Sequence, residues 1–223
     1  MVARESRSPL KDVEGIEEWL DLVDQALQGL HHAFNNRIGS LSALIELLRL
    51  DGVPADGSGF DGLTAELARL EDCNRLVRLL PGDGIADAEP LILADILADV
   101  FTIHRFLHAV RDVPVTIVPM RFVEPVRVQR WAVVRVLTLL LNDAKRLASQ
   151  LSEAVRVVAE SDDQWVSVEF RVGTPPVHGV PVSSRGRYAE TVARSFDGTV
   201  SRSAGVVALR MPTLKARRAA DRK

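Results

Sequence analysis

The stretch LQGLHHAFNNRIGSLSALIELL, residues Leu27–Leu48, lies within a long run of helical periodicity. Apolar side chains recur there in steps of three and four, which is typical of a helix with one buried face. We call this row the apolar seam; its members are Leu20, Val23, Leu27, Leu30, Phe34, Ile38, Leu41, Ile45 and Leu48. The pattern begins at Val13 and contains no proline before Leu50, so one long helix is predicted.

Polar residues interrupt the middle of this stretch. At about 100° per residue, His32 and Asn36 lie roughly 160° from the seam, one turn apart, and should face solvent. His31 lies only about 60° from the seam, which predicts a packed position at the edge of the core. An exposed imidazole is neutral and nucleophilic for much of its population near pH 7, so His32 is a candidate phosphoryl acceptor. The alternative interpretation is an ordinary solvated helix face.

The chain around this helix divides into five predicted segments. Residues 1–10 form a disordered charged tail. Residues 11–82 form an antiparallel helical hairpin, because the Gly, Pro and Asp residues of segment 51–59 predict a turn before a second helix from Phe60 to Leu80. One hairpin cannot cover its own seam, so two copies are expected to pair as a four-helix bundle in a homodimer. The open alternative is a single chain whose helices fold onto the α/β domain. Residues 83–90 form a linker.

Residues 91–213 are predicted as an α/β sandwich, and residues 214–223 as a basic, frayed tail. The chain is therefore expected to belong to the α+β class, with helices on one face of a mixed, mostly antiparallel sheet. The predicted elements are a helix at Leu91–Val110, strands within Pro114–Pro119 and Glu124–Gln129, a helix at Arg130–Leu151, two paired strands at 154–161 and 165–172, a helix at Arg187–Phe196 and a final β-hairpin.

Composition excludes several classes of protein. The chain has 223 residues, 47% hydrophobic and 26% charged, with a net charge of -2, so nucleic acid is not expected as the main partner. The single cysteine, Cys73, excludes an internal disulfide. His104 and His108 are four apart but lack a third ligand nearby, which favours ordinary helix histidines over a metal site. No run is long enough to span a membrane and no signal peptide is evident, so a cytoplasmic location is expected.

The order of these motifs resembles that of sensor histidine kinases. The sequence HAFNN at His32–Asn36 resembles their phosphoacceptor motif, within a hairpin similar to their dimerisation and phosphotransfer domain. Residues 91–212 resemble their Bergerat-type ATP-binding domain. RVLTLLLND, Arg135–Asp143, is similar to the motif whose last Asn helps to hold the magnesium of ATP, here Asn142. GRYAETVARSFDGTVSRSAGVVALRMP, Gly186–Pro212, is similar to the family's final helix and hairpin.

The ATP-binding motifs depart from the family pattern. The loop that should carry an adenine-binding Asp is FRVGTPPVHG, Phe170–Gly179, which contains no acidic residue. The Gly-rich turn that should cradle phosphate is reduced to residues 184–186. Thr138 replaces the first Asn of the magnesium helix, so Asn142 is interpreted as a possible remnant of the site. The resemblance therefore implies a degenerate ATPase domain that needs no cofactor.

The residue at position 33 also argues against phosphorylation of His32 by ATP. In the family, an acid after the phosphoacceptor histidine acts as general base when that histidine attacks ATP, and Ala33 cannot do so. Transfer from an aspartyl phosphate is less demanding, because the acyl phosphate is activated and the partner supplies Mg²⁺ and a Lys. The resemblance thus implies a histidine phosphotransferase of a bacterial two-component phosphorelay, in which His32 accepts a phosphoryl group from one receiver-domain aspartate and passes it to another.

Further roles follow from that resemblance. Asn36 would orient the phosphoryl oxygens and Asn35 would anchor the local helix. Arg37 would pair with acidic residues around the receiver's aspartate, unless it is merely solvated, while Ile38 and Leu41 would form the docking surface. The expected partners are response-regulator receiver domains and a hybrid histidine kinase, with no nucleic acid and no membrane. Two alternatives stay open: an ATP-dependent sensor histidine kinase with a divergent pocket, and a non-catalytic dimeric scaffold that binds response regulators.

Overall fold

The computed structural model describes residues 16–51, 58–80, 87–119, 123–173 and 185–220. It contains a helical hairpin followed by an α/β sandwich, as the periodicity predicts. The helices are α1 (Ile16–Asp51), α2 (Ser58–Leu79), α3 (Leu93–His104), α4 (Arg130–Leu151), α5 (Arg185–Arg194) and α6 (Leu214–Ala220). The strands are β1 (Glu89–Leu91), β2 (Val115–Ile117), β3 (Val126–Val128), β4 (Val155–Ser161), β5 (Trp165–Val172), β6 (Thr199–Ser203) and β7 (Val206–Pro212).

The main sheet has five strands in the order β2-β4-β5-β7-β6. β2 pairs with β4 in parallel and the other neighbours are antiparallel. Alternate residues of β5 are buried, which matches the period of two in WVSVEFRV and places one face of the strand in the core. α4 packs against this sheet and against α3 and α5, so it is the central helix of the sandwich. The remaining strands, β1 and β3, form a separate antiparallel pair.

One cluster of buried apolar side chains extends through the hairpin and the sandwich. It includes Trp19, Leu22, Ala26 and Leu30 of α1 together with nearly all of the sandwich core. α1 therefore has two buried sides in its first half: one faces α2 along the apolar seam, and the other faces the sandwich. Burial at two sides fixes the hairpin to the sandwich through the same hydrophobic core.

The region around residue 90 differs from the prediction. Glu89–Leu91 forms a strand instead of linker and helix start, because Leu91 is buried and pairs with Val126. α3 also ends at His104 rather than near Val110, and residues 105–113 continue as tight turns. In these turns each bond spans three residues, as in the bonds of Phe106 to Ile103 and of Val110 to Leu107.

The basic tail is not frayed up to Ala220, so that prediction is wrong for the described residues. Thr213 begins α6: its hydroxyl accepts a hydrogen bond from the backbone N–H of Ala216 at 3.0 Å, a typical N-cap contact. Lys215 then binds Asp163 at 2.7 Å and Arg217 binds Asp197 at 3.1 Å. These contacts with the sandwich, rather than any hydrophobic periodicity, hold the helix in place.

Candidate functional site

His32 and Asn36 lie on α1 with exposed side chains, as their angle from the apolar seam predicts. They are four residues apart, so one stands about 6 Å above the other along the helix. Nothing in the described part of the chain covers the His32 imidazole. A bulky phosphorylated partner can therefore approach this ring.

His31 differs from the prediction, because it too is exposed rather than packed at the edge of the core. The sandwich contacts α1 at Gly29, which lies about 160° around the helix from His31. The Nε2 atom of His31 lies 3.5 Å from Nδ2 of Asn35, at the long limit of a hydrogen bond. The rings of His31 and His32 are 6.2 Å apart, so the helix presents two adjacent imidazoles.

The residues just below His32 contact α2. Nη1 of Arg37 lies 3.3 Å from Oε2 of Glu66, which is buried, and Arg69 binds the same carboxylate. Two guanidinium groups therefore neutralise a carboxylate that would be costly to bury alone. Ile38 is 51% exposed and Leu41 is half-buried, so both contribute to the surface below His32.

A row of small residues on α1 faces the sandwich. A Cβ at Gly29 would lie 2.8 Å from the backbone oxygen of Phe106 and 2.9 Å from its Cβ, closer than side chains normally approach. Ala26 is fully buried, and Ala33 is partly buried against the same core. Ala26, Gly29 and Ala33 recur at helical spacing, which lets the sandwich approach the backbone of α1. Sequence reasoning missed this row, although its small residues at steps of three and four were visible.

Asn142 lines a small, partly open cleft between α4 and α1. It is 5% exposed, and the cleft around it has a volume of about 40 Å³. The cleft is lined by Glu18, Asp21, Leu22, Gln25, Leu139, Asn142, Asp143 and Arg146. Pockets that hold cofactors and other small ligands usually measure about 300–1,000 Å³. The first turns of α1 thus fill the space on this side of Asn142.

Contacts of Arg135 with aromatic side chains hold α1 against α4 and α5. The guanidinium of Arg135 lies between two indole rings, 4.7 Å from the centroid of Trp19 and 4.9 Å from that of Trp131. It also donates a hydrogen bond to the hydroxyl of Tyr188 at 2.7 Å. Tyr188 is fully buried on α5, so this contact connects three helices. A cation between two aromatic faces is favoured when it is removed from water, as Arg135 is here.

A buried carboxylate fastens the other helix of the hairpin. Asp99 of α3 is 1% exposed and accepts hydrogen bonds from Nε and Nη2 of Arg130 at 3.0 and 2.7 Å. Arg75 of α2 binds the other oxygen of the same carboxylate. The pair raises the pKa of Arg75, chiefly through its hydrogen bond to Asp99. α2 is thereby held to the start of α4.

Two other titratable side chains, those of His104 and Cys73, are buried in the core and are not part of the candidate site. Burial lowers the pKa of His104 to about 3, helped by the nearby charge of Lys145, and its Nε2 lies 3.0 Å from the backbone oxygen of Thr138. Burial also raises the pKa of the Cys73 thiol on α2, which keeps it protonated and unreactive. Among the described residues, no group of His, Cys, Asp and Glu is arranged to hold a metal ion.

Fold and site together define a class of architecture: a helical hairpin with an exposed His/Asn pair, fixed to an α/β sandwich with a five-stranded mixed sheet. No family model matches the sequence, and no curated protein matches it. No helix in the described ranges is long and apolar enough to cross a membrane.

Solved structures that resemble this chain include three histidine kinases. Acinetobacter baumannii histidine kinase AdeS is 14% identical, with 82% of this chain and 96% of that chain covered and a TM-score of 0.41. The nucleotide-free catalytic domain of histidine kinase ThkA is 14% identical over 57% of this chain and 98% of that one, with a TM-score of 0.47. Full-length ShkA in complex with AMPPNP is 13% identical, with 85% of this chain and 46% of that chain covered and a TM-score of 0.46. Likeness at this level concerns the arrangement of helices and strands only.

Proposed function

We propose that the protein is a histidine phosphotransferase of a two-component phosphorelay. His32 takes a phosphoryl group from the aspartyl phosphate of one receiver domain and passes it to the aspartate of another, without ATP. The observation that carries this proposal is the exposed imidazole of His32 on α1, one turn from the exposed side chain of Asn36. The sequence has Ala33 where the family has an acid and no acidic residue in the loop Phe170–Gly179, which supports a transfer that does not use ATP.

The transfer needs no base from this chain. The lone pair of one His32 ring nitrogen attacks phosphorus, a nitrogen–phosphorus bond forms, and the bond from phosphorus to the aspartyl oxygen breaks. The aspartate leaves as a carboxylate, and the ring keeps its proton on the other nitrogen. The total charge is -2 before and after the step, so Ala33 suffices at the position of the family's acid. Asn36, one turn away, donates an amide N–H to a phosphoryl oxygen.

A fixed sandwich supports the absence of kinase activity. An ATP-binding domain that phosphorylates a histidine on its own hairpin must bring the nucleotide to that histidine. Here Trp19, Leu22 and Ala26 share one core with the sandwich, and Arg135 and Asp99 add polar contacts across the same boundary. Separating them would expose this core to water.

We further propose that two copies pair through the second half of the hairpin. Exposed apolar side chains there include the seam residues Ile38 and Ile45 of α1, together with Phe60 and Leu67, which share one face of α2. Exposed apolar side chains on two adjacent helices are typical of a subunit interface. A second hairpin would cover it as a four-helix bundle and leave the His32 face open.

The test uses the isolated receiver domains of the source organism, each charged with labelled acetyl phosphate and mixed with the protein. At least one receiver should transfer label to the wild-type chain, His32→Ala should abolish the transfer, and Arg156→Ala, which alters an exposed side chain of β4, should leave it unchanged. Labelling of His32→Ala would overturn the assignment.

A second arm replaces the receivers by labelled ATP and Mg²⁺. No self-labelling is expected. Self-labelling that depends on His32 would instead indicate an ATP-dependent kinase, and receiver binding without phosphoryl movement in either direction would indicate a scaffold.

A further inference from the structure

The segment of residues 105–110, which follows α3, contacts α1 one turn before His32. The close approach of Phe106 to Gly29 defines this contact, since a Cβ at residue 29 would meet both the backbone oxygen and the Cβ of Phe106. The segment is the part of the sandwich that this contact places next to the phosphoacceptor turn.

This segment is firmly held by the sandwich. Leu107 and Val110 are buried, and Lys145 of α4 donates a hydrogen bond from Nζ to the backbone oxygen of Val110 at 3.1 Å. The backbone N–H groups of Phe106 and Leu107 bond to the oxygens of Ile103 and His104, which continues the last turn of α3. The segment therefore presents a fixed surface rather than a free loop.

Helix geometry places His32 beside this surface. Relative to Gly29, His32 is displaced by about 60° around α1 and about 4.5 Å along it, and Asn36 by only about 20° around it. Side chains on a helix lean toward its N-terminus, so the His32 ring leans toward the turn that Phe106 contacts. The open face of the imidazole and residues 105–110 thus border one another.

We propose that residues 105–110 form part of the docking surface for the receiver domain and help to select which receiver transfers to His32. This inference rests on the proposed function. A stable protein partner covers about 800 Å² on each side, which corresponds to a radius of roughly 16 Å around the centre of contact. A receiver centred on His32 must therefore lie against this segment as well as against α1 and α2.

The chemistry of the segment suits such a partner. Arg105, His108 and Ala109 are exposed, and Nη1 of Arg111 just beyond them lies 3.3 Å from Nδ1 of His108. Nε of Arg111 also lies 3.5 Å from the carboxylate of Asp112, so the positive charge of the segment comes chiefly from Arg105. The site around a receiver's aspartyl phosphate is rich in acidic groups. Positive charge at the rim of an interface accelerates association with an acidic partner and rejects a basic one.

The experiment compares substitutions that each introduce a carboxylate at an exposed position. Arg105→Glu and Ala109→Glu alter exposed positions of the segment, while Arg156→Glu makes the same reversal at an exposed position of β4, on the face of the sheet opposite the core. Each variant is first labelled with phosphoramidate, a small donor that phosphorylates His32 without a receiver. Transfer from the best wild-type donor receiver, charged with acetyl phosphate, is then measured as kcat/KM.

The two segment variants should lose at least tenfold in kcat/KM with unchanged phosphoramidate labelling, and Arg156→Glu should stay within twofold of wild type. Unchanged kcat/KM in both segment variants, or an equal loss in Arg156→Glu, would overturn the inference. If no receiver transfers to the wild-type chain at all, the proposed function fails first, and that result is distinct from normal transfer in the segment variants.

Discussion

The two halves of α1 have the same periodicity but different surroundings. In the first half, the seam residues Val23 and Leu30 are buried. In the second half, the seam residues Ile38 and Ile45 are about half exposed. The difference teaches that the apolar seam alone does not decide burial. The first half has partners within its own chain, whereas we expect the second half to find them in another copy, and His32 lies where the two halves meet.

The largest expected effect concerns the attachment of the first half. Asp99→Asn removes the charge that binds both Arg75 and Arg130. Breaking a buried ion pair costs about 3–5 kcal/mol, and we expect about 3 kcal/mol because both arginines retain contact with water. Urea denaturation measures this loss. Asp72→Asn, an exposed carboxylate 3.6 Å from Arg75, should change stability by less than about 0.5 kcal/mol, and an equal loss in both variants would contradict a special role for Asp99.

The proposed role of the second half of α1 is tested by measuring dimer formation. Ile45→Glu combined with Leu67→Glu places two carboxylates in the proposed subunit interface, and we expect the dissociation constant of the dimer to rise about a hundredfold, which corresponds to roughly 2.7 kcal/mol. Analytical ultracentrifugation measures this constant. Leu20→Glu alters an exposed leucine of the first half and should leave assembly unchanged. A wild-type chain that stays monomeric at every concentration would disprove the interface.

Acid should weaken the sandwich that holds the first half. Because the pKa of His104 is lowered to about 3 in the folded state, the unfolded state binds the additional proton as pH falls below about 6.5. Stability from this group is therefore complete above pH 7 and is lost toward pH 3. Between pH 7 and pH 5 the loss should be about 2 kcal/mol in urea denaturation. His104→Gln should remove this slope and His108→Gln should retain it; a slope that persists in His104→Gln would assign it to other groups.

The smallest effect compares two glycines of α1. Gly29→Ala should destabilise the protein by about 1 kcal/mol, because the new methyl group meets the backbone of Phe106 and the clash outweighs the gain in helix propensity. Gly39→Ala has no neighbour within 4 Å and should stabilise by up to about 1 kcal/mol. Thermal unfolding measures both. Stabilisation by both substitutions would show that the sandwich can yield at Gly29.

Periodic elements were predictable from the sequence. α4 begins and ends at the predicted residues, Arg130 and Leu151, since its apolar run is long and nearly continuous. β4 and β5 were predictable from their alternation. β1 was not, because a three-residue strand that contains Pro90 carries no periodic signal. α6 was not predictable either, since contacts with residues distant in sequence stabilise it.

The candidate site was only partly predictable. Periodicity gives a direction around a helix, which placed His32 and Asn36 in solvent as observed. It does not say what lies in each direction, so His31 was wrongly placed at the edge of the core. The small cleft at Asn142 could not be predicted from the sequence either, because it depends on how the first turns of α1 lie across α4. Three roles stay predictions: Asn35 as an anchor of the local helix, Asn36 in orienting the phosphoryl oxygens and Arg37 in pairing with the receiver.

The stacking of Trp19 and Trp131 on Arg135 has an optical consequence. These are two of the three tryptophans in the chain, and both are largely excluded from water while α1 lies against α4. Lifting the start of α1 away would hydrate the Trp19 indole and shift its fluorescence to longer wavelength. The intrinsic emission of the unlabelled protein therefore reports whether the hairpin remains attached while a receiver binds.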